Sequence, residues 1–440
     1  MSTRRYGKRM MGLAGSAVLV AGGVAFGGAG IASASGSKST LVVGILSTFT
    51  GINAGDGQEA MAGCIPASTL INADGGVMGH KVTCQEFNTS SDPADAVPET
   101  HRMLALGNNL LVTMGSSGTT APAVIPLVNA AKRTIFTECG LSLFNVNHYR
   151  FFWRNDPVDA SQGYAMAIAT VQSGYKRVAA VFGQDVSSQG SRPSFLKGMK
   201  QLGHPVVSSV LLPTNSPSYT AQIAAIQESK PQVIVGEITP SSSATFFSEL
   251  KQVFGKVPPV IGDEAYDQGP WDKAVSGAIG SGTLSKALKV VVPVTASGGP
   301  GWNLWKKTLM ASSDPTKKTF ESDSYAGSDY DAVILSALAA DEAHSLNAAK
   351  YNTLIMNIAN GVPGAVVVHT YAEGIAALKK GRKIHYIGAS GSAVHFNQYH
   401  NWEPGYVLDK YHANGLKKIR PISTTVLNAL ITGHHVKVSS

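Results

Sequence analysis

From residue 41 onward, short uninterrupted apolar runs alternate with longer stretches whose apolar positions recur every three or four residues. The runs read as buried strands and the longer stretches as helices packed on them. Strands are expected at 41–46, 81–87, 110–114 and 134–137, with helices at 58–71, 93–106 and 121–131 between them. "NADGGVMGHKV" supplies a helix stop, a glycine turn and the start of the second strand. Strand and helix in such close alternation predict right-handed parallel units and a doubly wound sheet. The pattern then restarts. A helix at 162–172 precedes the strand "RVAAVF", a helix at 193–202, the strand "PVVSSVLL", a helix at 219–229 and the strand "QVIVGEI". A helix at 243–254 and the strand "PPVIGD" close this second series. Residues 302–379 read as mostly helical, and "YIGASGSAVHF" as a late turn and strand. The chain from 421 onward carries no clear period.

A length of 440 residues exceeds one compact core, so two lobes are expected. With 44% hydrophobic and 15% charged residues the chain is globular rather than disordered. The formal charge is +8. Four of the basic residues, Arg4, Arg5, Lys8 and Arg9, lie ahead of an apolar, glycine-rich stretch ending in Ala32-Ser33-Ala34. That order matches an export signal over 1–34 with a small-residue cleavage site; an uncleaved anchor is the alternative. No other stretch is apolar enough for long enough to span a bilayer. The rest of the chain is only mildly basic and its charges are scattered, which argues against a nucleic-acid partner. Export permits a disulfide. Of Cys64, Cys84 and Cys139, the first two fall mid-way along a helix and the following strand, at similar height, so a Cys64–Cys84 bridge is expected with Cys139 free. Three buried thiols are the alternative, since spacing does not fix connectivity.

Open α/β sheets bind ligands beyond the carboxyl ends of their strands. The loop GSSGTT sits there, between the third strand and third helix. A helix N-terminus offers unpaired N–H groups, and Ser116, Ser117, Thr119 and Thr120 add hydroxyls. Together they could hold a carboxylate; simple N-capping is the bland alternative. "STFTG" and "TECGLS" occupy other strand ends of the first lobe. Asp185 to Ser188, Thr239 and Asp263-Glu264-Ala265-Tyr266 occupy those of the second. An acidic wall facing hydroxyls and amides suits a zwitterion such as an amino acid. Motifs of catalysis are wanting: the sequence has no G-x-S-x-G, H-E-x-x-H or Walker loop. Its histidines, His434-His435 included, have no metal-ligand spacing. "GDGQEA" matches a dinucleotide loop only loosely and lies too far from its strand.

Several segments in order, "GILSTFTG", "INADGGVMGHKV", "SSDPADAV", "GSSGTTAPAV", "FFWRNDPVDASQG", "SDYDAVILSALA" and "GASGSAVHFN", resemble the branched-chain amino-acid type of periplasmic binding proteins, which feed ABC importers. The resemblance runs over 41–406. It implies two α/β lobes joined by a three-segment hinge: 41–156 with 296–384, and 157–295 with 385–425, leaving 426–440 as a tail. It implies that Ser117 and Thr120, with Ser116 and Thr119, and the Cys139-Gly140 region grip the ligand α-carboxylate, and that Glu264 receives its amino group. Aromatic clamp positions of the family are Ser187 and Thr239 here, so an aliphatic amino acid is not implied. Asp185 and Tyr266 complete the candidate set.

The expectation is therefore a monomeric, extracytoplasmic solute-binding protein of an ABC importer. It has no catalytic step, cofactor or metal, and its partners are a small polar solute and a membrane permease. A sensor of the same fold, an exported serine hydrolase and a scaffold without ligand are the alternatives.

Overall fold

The computed structural model describes residues 38–440, except 52, 116, 268, 295–297, 391–394, 413–414, 435, 437 and 439–440. The export signal, Ser116 and His435 thus lie outside the described residues.

The first sheet holds β1 (Leu41–Ser47), β2 (Val82–Asn88), β3 (Leu110–Met114), β4 (Ile135–Thr137) and β5 (Phe152–Arg154), in the order β2-β1-β3-β4-β5. All its pairings are parallel. β1, LVVGILS, is buried at every position, as a strand covered on both faces must be. The connecting helices are α1 (Ala54–Ala73), α2 (Pro93–Leu104) and α3 (Ala121–Ala130).

The second lobe begins with α4 (Asp159–Gln172). It continues through β6 (Val178–Gly183), α5 (Arg192–Gln201), β7 (Ser208–Leu212), α6 (Thr220–Glu228), β8 (Val233–Gly236), α7 (Pro240–Phe254) and β9 (Val260–Gly262). Then come α8 (Gly269–Ile279), α9 (Ser281–Ala287) and β10 (Leu288–Pro293). The chain next returns to the first lobe with α10 (Pro300–Ala311), α11 (Lys317–Phe320), α12 (Ser324–Glu342), α13 (Ala348–Asn360) and α14 (Tyr371–Leu378). A small parallel pair, β11 (Val366–Val368) and β12 (Ile384–Tyr386), flanks α14. Last are β13 (Tyr406–His412), β14 (Gly415–Ile422) and α15 (Thr424–Ile431).

The second sheet runs β14-β13-β10-β9-β8-β6-β7. The two α/β lobes are those the hydrophobic pattern requires, but this sheet is not wholly parallel. β13 pairs antiparallel with both β10 and β14. The last crossing also comes later than residue 385. Tyr386, Ala389, Phe396 and Trp402 all belong to the first lobe's core, with Phe396 set edge-on to Trp153 at 5.1 Å. Of the tail after 425, Leu427 and Leu430 are buried in the second lobe's core.

α1 and α12 cross closely in the first lobe. A Cβ on Gly63 would lie 2.6 Å from both Ala326 O and Asp329 Cβ, so no larger residue fits. This contact sets Glu59 on α1 beside the acidic start of α12. Cys64 and Cys84 are joined, tying α1 to β2, while Cys139 is free and buried.

Reduction of the Cys64–Cys84 bridge, or Cys84→Ser, is expected to lower unfolding free energy by about 3 kcal/mol, the loop-closure value for a loop of this size. Urea denaturation with and without reductant measures it. Cys139 should become alkylatable only on unfolding.

Candidate functional site

The carboxyl ends of both sheets open on one cavity of about 190 Å³. From the first lobe come Asp56 and Glu59 on α1, Ser117 and Gly118 after β3, and Glu138 and Gly140 after β4. Asp156, just after β5, lies on the first crossing between lobes. From the second lobe come Asp159 and Gln162 on α4, then Asp185 and Ser187 after β6. Glu237 and Thr239 follow β8, and Asp263 and Glu264 follow β9. Tyr325, at the start of α12, completes the wall. The lobes approach closely here: a Cβ on Gly118 would sit 3.4 Å from Ser187 Oγ, and one on Gly55 would sit 2.9 Å from Pro270.

Of the residues singled out from sequence, Ser117, Gly140, Asp185, Ser187, Thr239 and Glu264 line this cavity. Cys139 does not. It faces the first lobe's core, fully buried, and burial pushes its thiol up to about 12. Tyr266 is likewise turned away. Its ring stacks on Trp271 at 4.0 Å and covers Gly262, where a Cβ would come within 2.1 Å of it. Thr120 is the buried N-cap residue of α3, and Thr119 is half-buried beside it; neither is part of the lining. The hydroxyl loop therefore offers the cavity Ser117 alone among its described side chains.

What sequence reasoning missed is the number of carboxyl groups. Nine of the chain's 28 acidic residues line the cavity, and its lining holds no lysine, arginine or histidine. Asp56, Glu59, Glu138, Asp156, Asp159 and Glu237 were not singled out. A signal existed for some of them: "TECG" and "VIVGEI" each place an acid at the end of a buried apolar run.

Several oxygens of these groups accept no hydrogen bond from a protein donor. Glu59 Oε1, Glu138 Oε1, Asp156 Oδ1, Asp263 Oδ1 and Glu264 Oε2 are buried and unbonded, as are Ser117 Oγ and Thr239 Oγ1. Among the described residues, the three ion pairs all lie elsewhere, at Arg102–Glu99, Lys306–Glu321 and Lys383–Glu342. Arg154, the cation whose charge acts on Asp156 and Asp159, is already held by Asn145 Oδ1 at 2.8 Å and Leu141 O at 2.9 Å.

Burial without a counter-charge dominates the proton affinities. It pushes Glu59, Glu138, Asp156, Glu237 and Glu264 well above the ordinary carboxylate range, and neighbouring carboxylates push further. Asp56 and Asp159 are pushed up to about 7, and Asp263, Asp323 and Asp329 to about 6, again chiefly by burial. Glu59 lies beside Asp323, Glu138 beside Asp329 and Glu237 beside Asp263. Two carboxyls so placed can bond only when one of them carries a proton, which is the state that burial favours.

Residues 40–288 match the family model described as periplasmic binding protein. The chain belongs to that family. An amino acid binding protein of Pseudomonas aeruginosa is 24% identical over 204 residues, which are 44% of this chain and 52% of that one. The match thus spans about half the length of that relative. Among solved structures, the leucine binding protein LivK of Thermotoga maritima superposes with a TM-score of 0.68 at 16% identity, covering 88% of this chain and 99% of that one. LivJ of Streptococcus pneumoniae, solved with isoleucine, gives 0.69 at 14% identity, covering 87% and 99%. A solute-binding protein of R. palustris solved with benzoate gives 0.66 at 15%, covering 87% and 96%. At such identities the likeness is one of fold.

The raised proton affinities have a definite sign for the unliganded binding protein. Its carboxyls hold protons that the unfolded chain has already lost above pH 4, so their contribution to stability is full below about pH 4 and is lost as pH rises towards 7. Melting temperature is expected to fall between pH 4.5 and 7.5, and Asp263→Asn to flatten that slope. Scanning calorimetry across the range checks both.

Proposed function

We propose that this chain is the extracytoplasmic receptor of an ABC importer, and that its solute carries a positively charged nitrogen. The observation that carries the reading is the interlobe cavity at the strand ends, walled by carboxyls among which Asp156 and Glu264 keep a buried oxygen with no protein donor. Buried acceptors are ordinarily bonded, and an orphaned one marks a place that a ligand completes. Binding proteins of this architecture close two lobes on a solute by bending a hinge. Here closure withdraws water from the carboxyls, which leaves an ammonium or guanidinium as the natural partner. The amino acid binding relative makes amino-bearing solutes the first class to test. The polar residues Ser187 and Thr239 give an aliphatic side chain little to pack against. The closed form would then be read by a membrane permease.

Glu264→Ala is expected to weaken a cationic solute at least tenfold. A hydrogen bond to a charged group contributes about 1.5–3 kcal/mol, and tenfold in affinity is about 1.4 kcal/mol. Isothermal titration of wild type and variant with amines and amino acids measures this. Unchanged affinity removes Glu264 from the site.

A further inference from the structure

We infer that the solute is a compact dication, a short aliphatic diamine or a guanidino-amine, rather than a zwitterionic amino acid; this rests on the cavity being the solute site. The acids stand on both walls. Glu59, Glu138 and Asp156 approach from the first lobe and the crossing beside it, and Glu237, Asp263 and Glu264 from the second. Each side presents an unbonded oxygen outside the carboxyl pairs: Asp156 Oδ1 on one and Glu264 Oε2 on the other. Both residues are more than nine-tenths buried.

One ammonium satisfies one wall and leaves the other unpaired in a low-dielectric gap. A zwitterion fares worse. Its carboxylate would stand among groups of its own sign, with the Ser117 hydroxyl and loop amides as its donors and no lysine, arginine or histidine in the lining. Two positive centres joined by a short chain answer both walls at once. The cavity, about 190 Å³, is below the roughly 300–1,000 Å³ of drug-sized sites, so the joining chain is short. A metal ion is a poorer fit, because among the described residues no three acids, histidines or cysteines converge as ligands to one ion.

The test is isothermal titration of the purified chain at pH 8 and 0.15 M salt. The probes are 1,4-diaminobutane, 1,5-diaminopentane and agmatine, set against n-butylamine, leucine, glutamine, urea, benzoate and magnesium. At least one dication is expected to bind a hundredfold tighter than n-butylamine and tighter than either amino acid. Glu138→Gln and Glu264→Gln, on opposite walls, should each weaken it tenfold or more, with circular dichroism showing both variants folded. Leucine, glutamine, urea or magnesium binding as tightly as the best dication overturns the inference and leaves the cavity as the solute site, provided Glu264→Gln weakens that ligand. Dication binding that both variants leave untouched, or no binding by any probe, overturns the inference and the cavity reading together.

Discussion

The structure turns on carboxyl groups held away from water with no cation beside them. Transferring a carboxylate from water into a protein interior is unfavourable by several kcal/mol even after relaxation, so such a group takes up a proton, shares one, or acquires a positive partner. The unliganded cavity uses the first two routes. Burial raises its proton affinities, and Glu59 beside Asp323, Glu138 beside Asp329 and Glu237 beside Asp263 raise one another's further or can bond through a proton. The third route is the function proposed. On that proposal protons and solute compete for the same oxygens, so the proton affinities of the site and the charge of what it accepts are two views of one electrostatic problem.

The scaffold makes that arrangement possible because a doubly wound sheet sends every strand end to one side. Glu138, Asp185, Glu237 and Asp263 each follow a different strand, and none needs a neighbour in sequence to reach the gap. Packing elsewhere fixes their positions. The close crossing at Gly63 sets α1 against α12 and brings Glu59 to Asp323. In the second lobe, Trp271 donates from Nε1 to Ile238 O and Ser243 Oγ and stacks on Tyr266. The loops bearing Thr239 and Glu264 are thereby held over one aromatic core. Tyr266, expected in the cleft, acts from beneath it.

The fold was legible because burial on both sheet faces writes itself as continuous apolar runs, as in LVVGILS and VIVG. Shorter or atypical strands escaped. FWR in β5 is only three residues long, β13 breaks its apolar run with Asp409 and Lys410, and β14 is the exposed edge strand, with Lys417, Lys418 and Arg420, where no apolar run is required. The site was legible as a location and not as a chemistry. Ser117 and Glu264 stand at strand ends in any reading, but sequence order does not show that Asp56, Glu59, Asp156 and Asp159 converge on them. Nor does it show which way a side chain turns after its strand. Cys139 and Gly140 are adjacent, yet one enters the core and the other the cavity.

Overall charge would mislead about this site. The chain carries +8 and its cavity holds only acids among its charged groups, so the field that the proposed function relies on is local. Such a field is strongest where water is excluded, which means after closure. An open cleft lets solvent satisfy either wall, and many amines can then pair with one side. Closing removes that solvent from both walls together and makes any unpaired oxygen costly. On that reading a solute that answers one wall leaves the oxygens of the other to protons alone, whereas one that answers both replaces them on each. On the function proposed, closure and charge selection are then the same event, because the oxygens on which a cation must replace a proton are those that closing takes out of water.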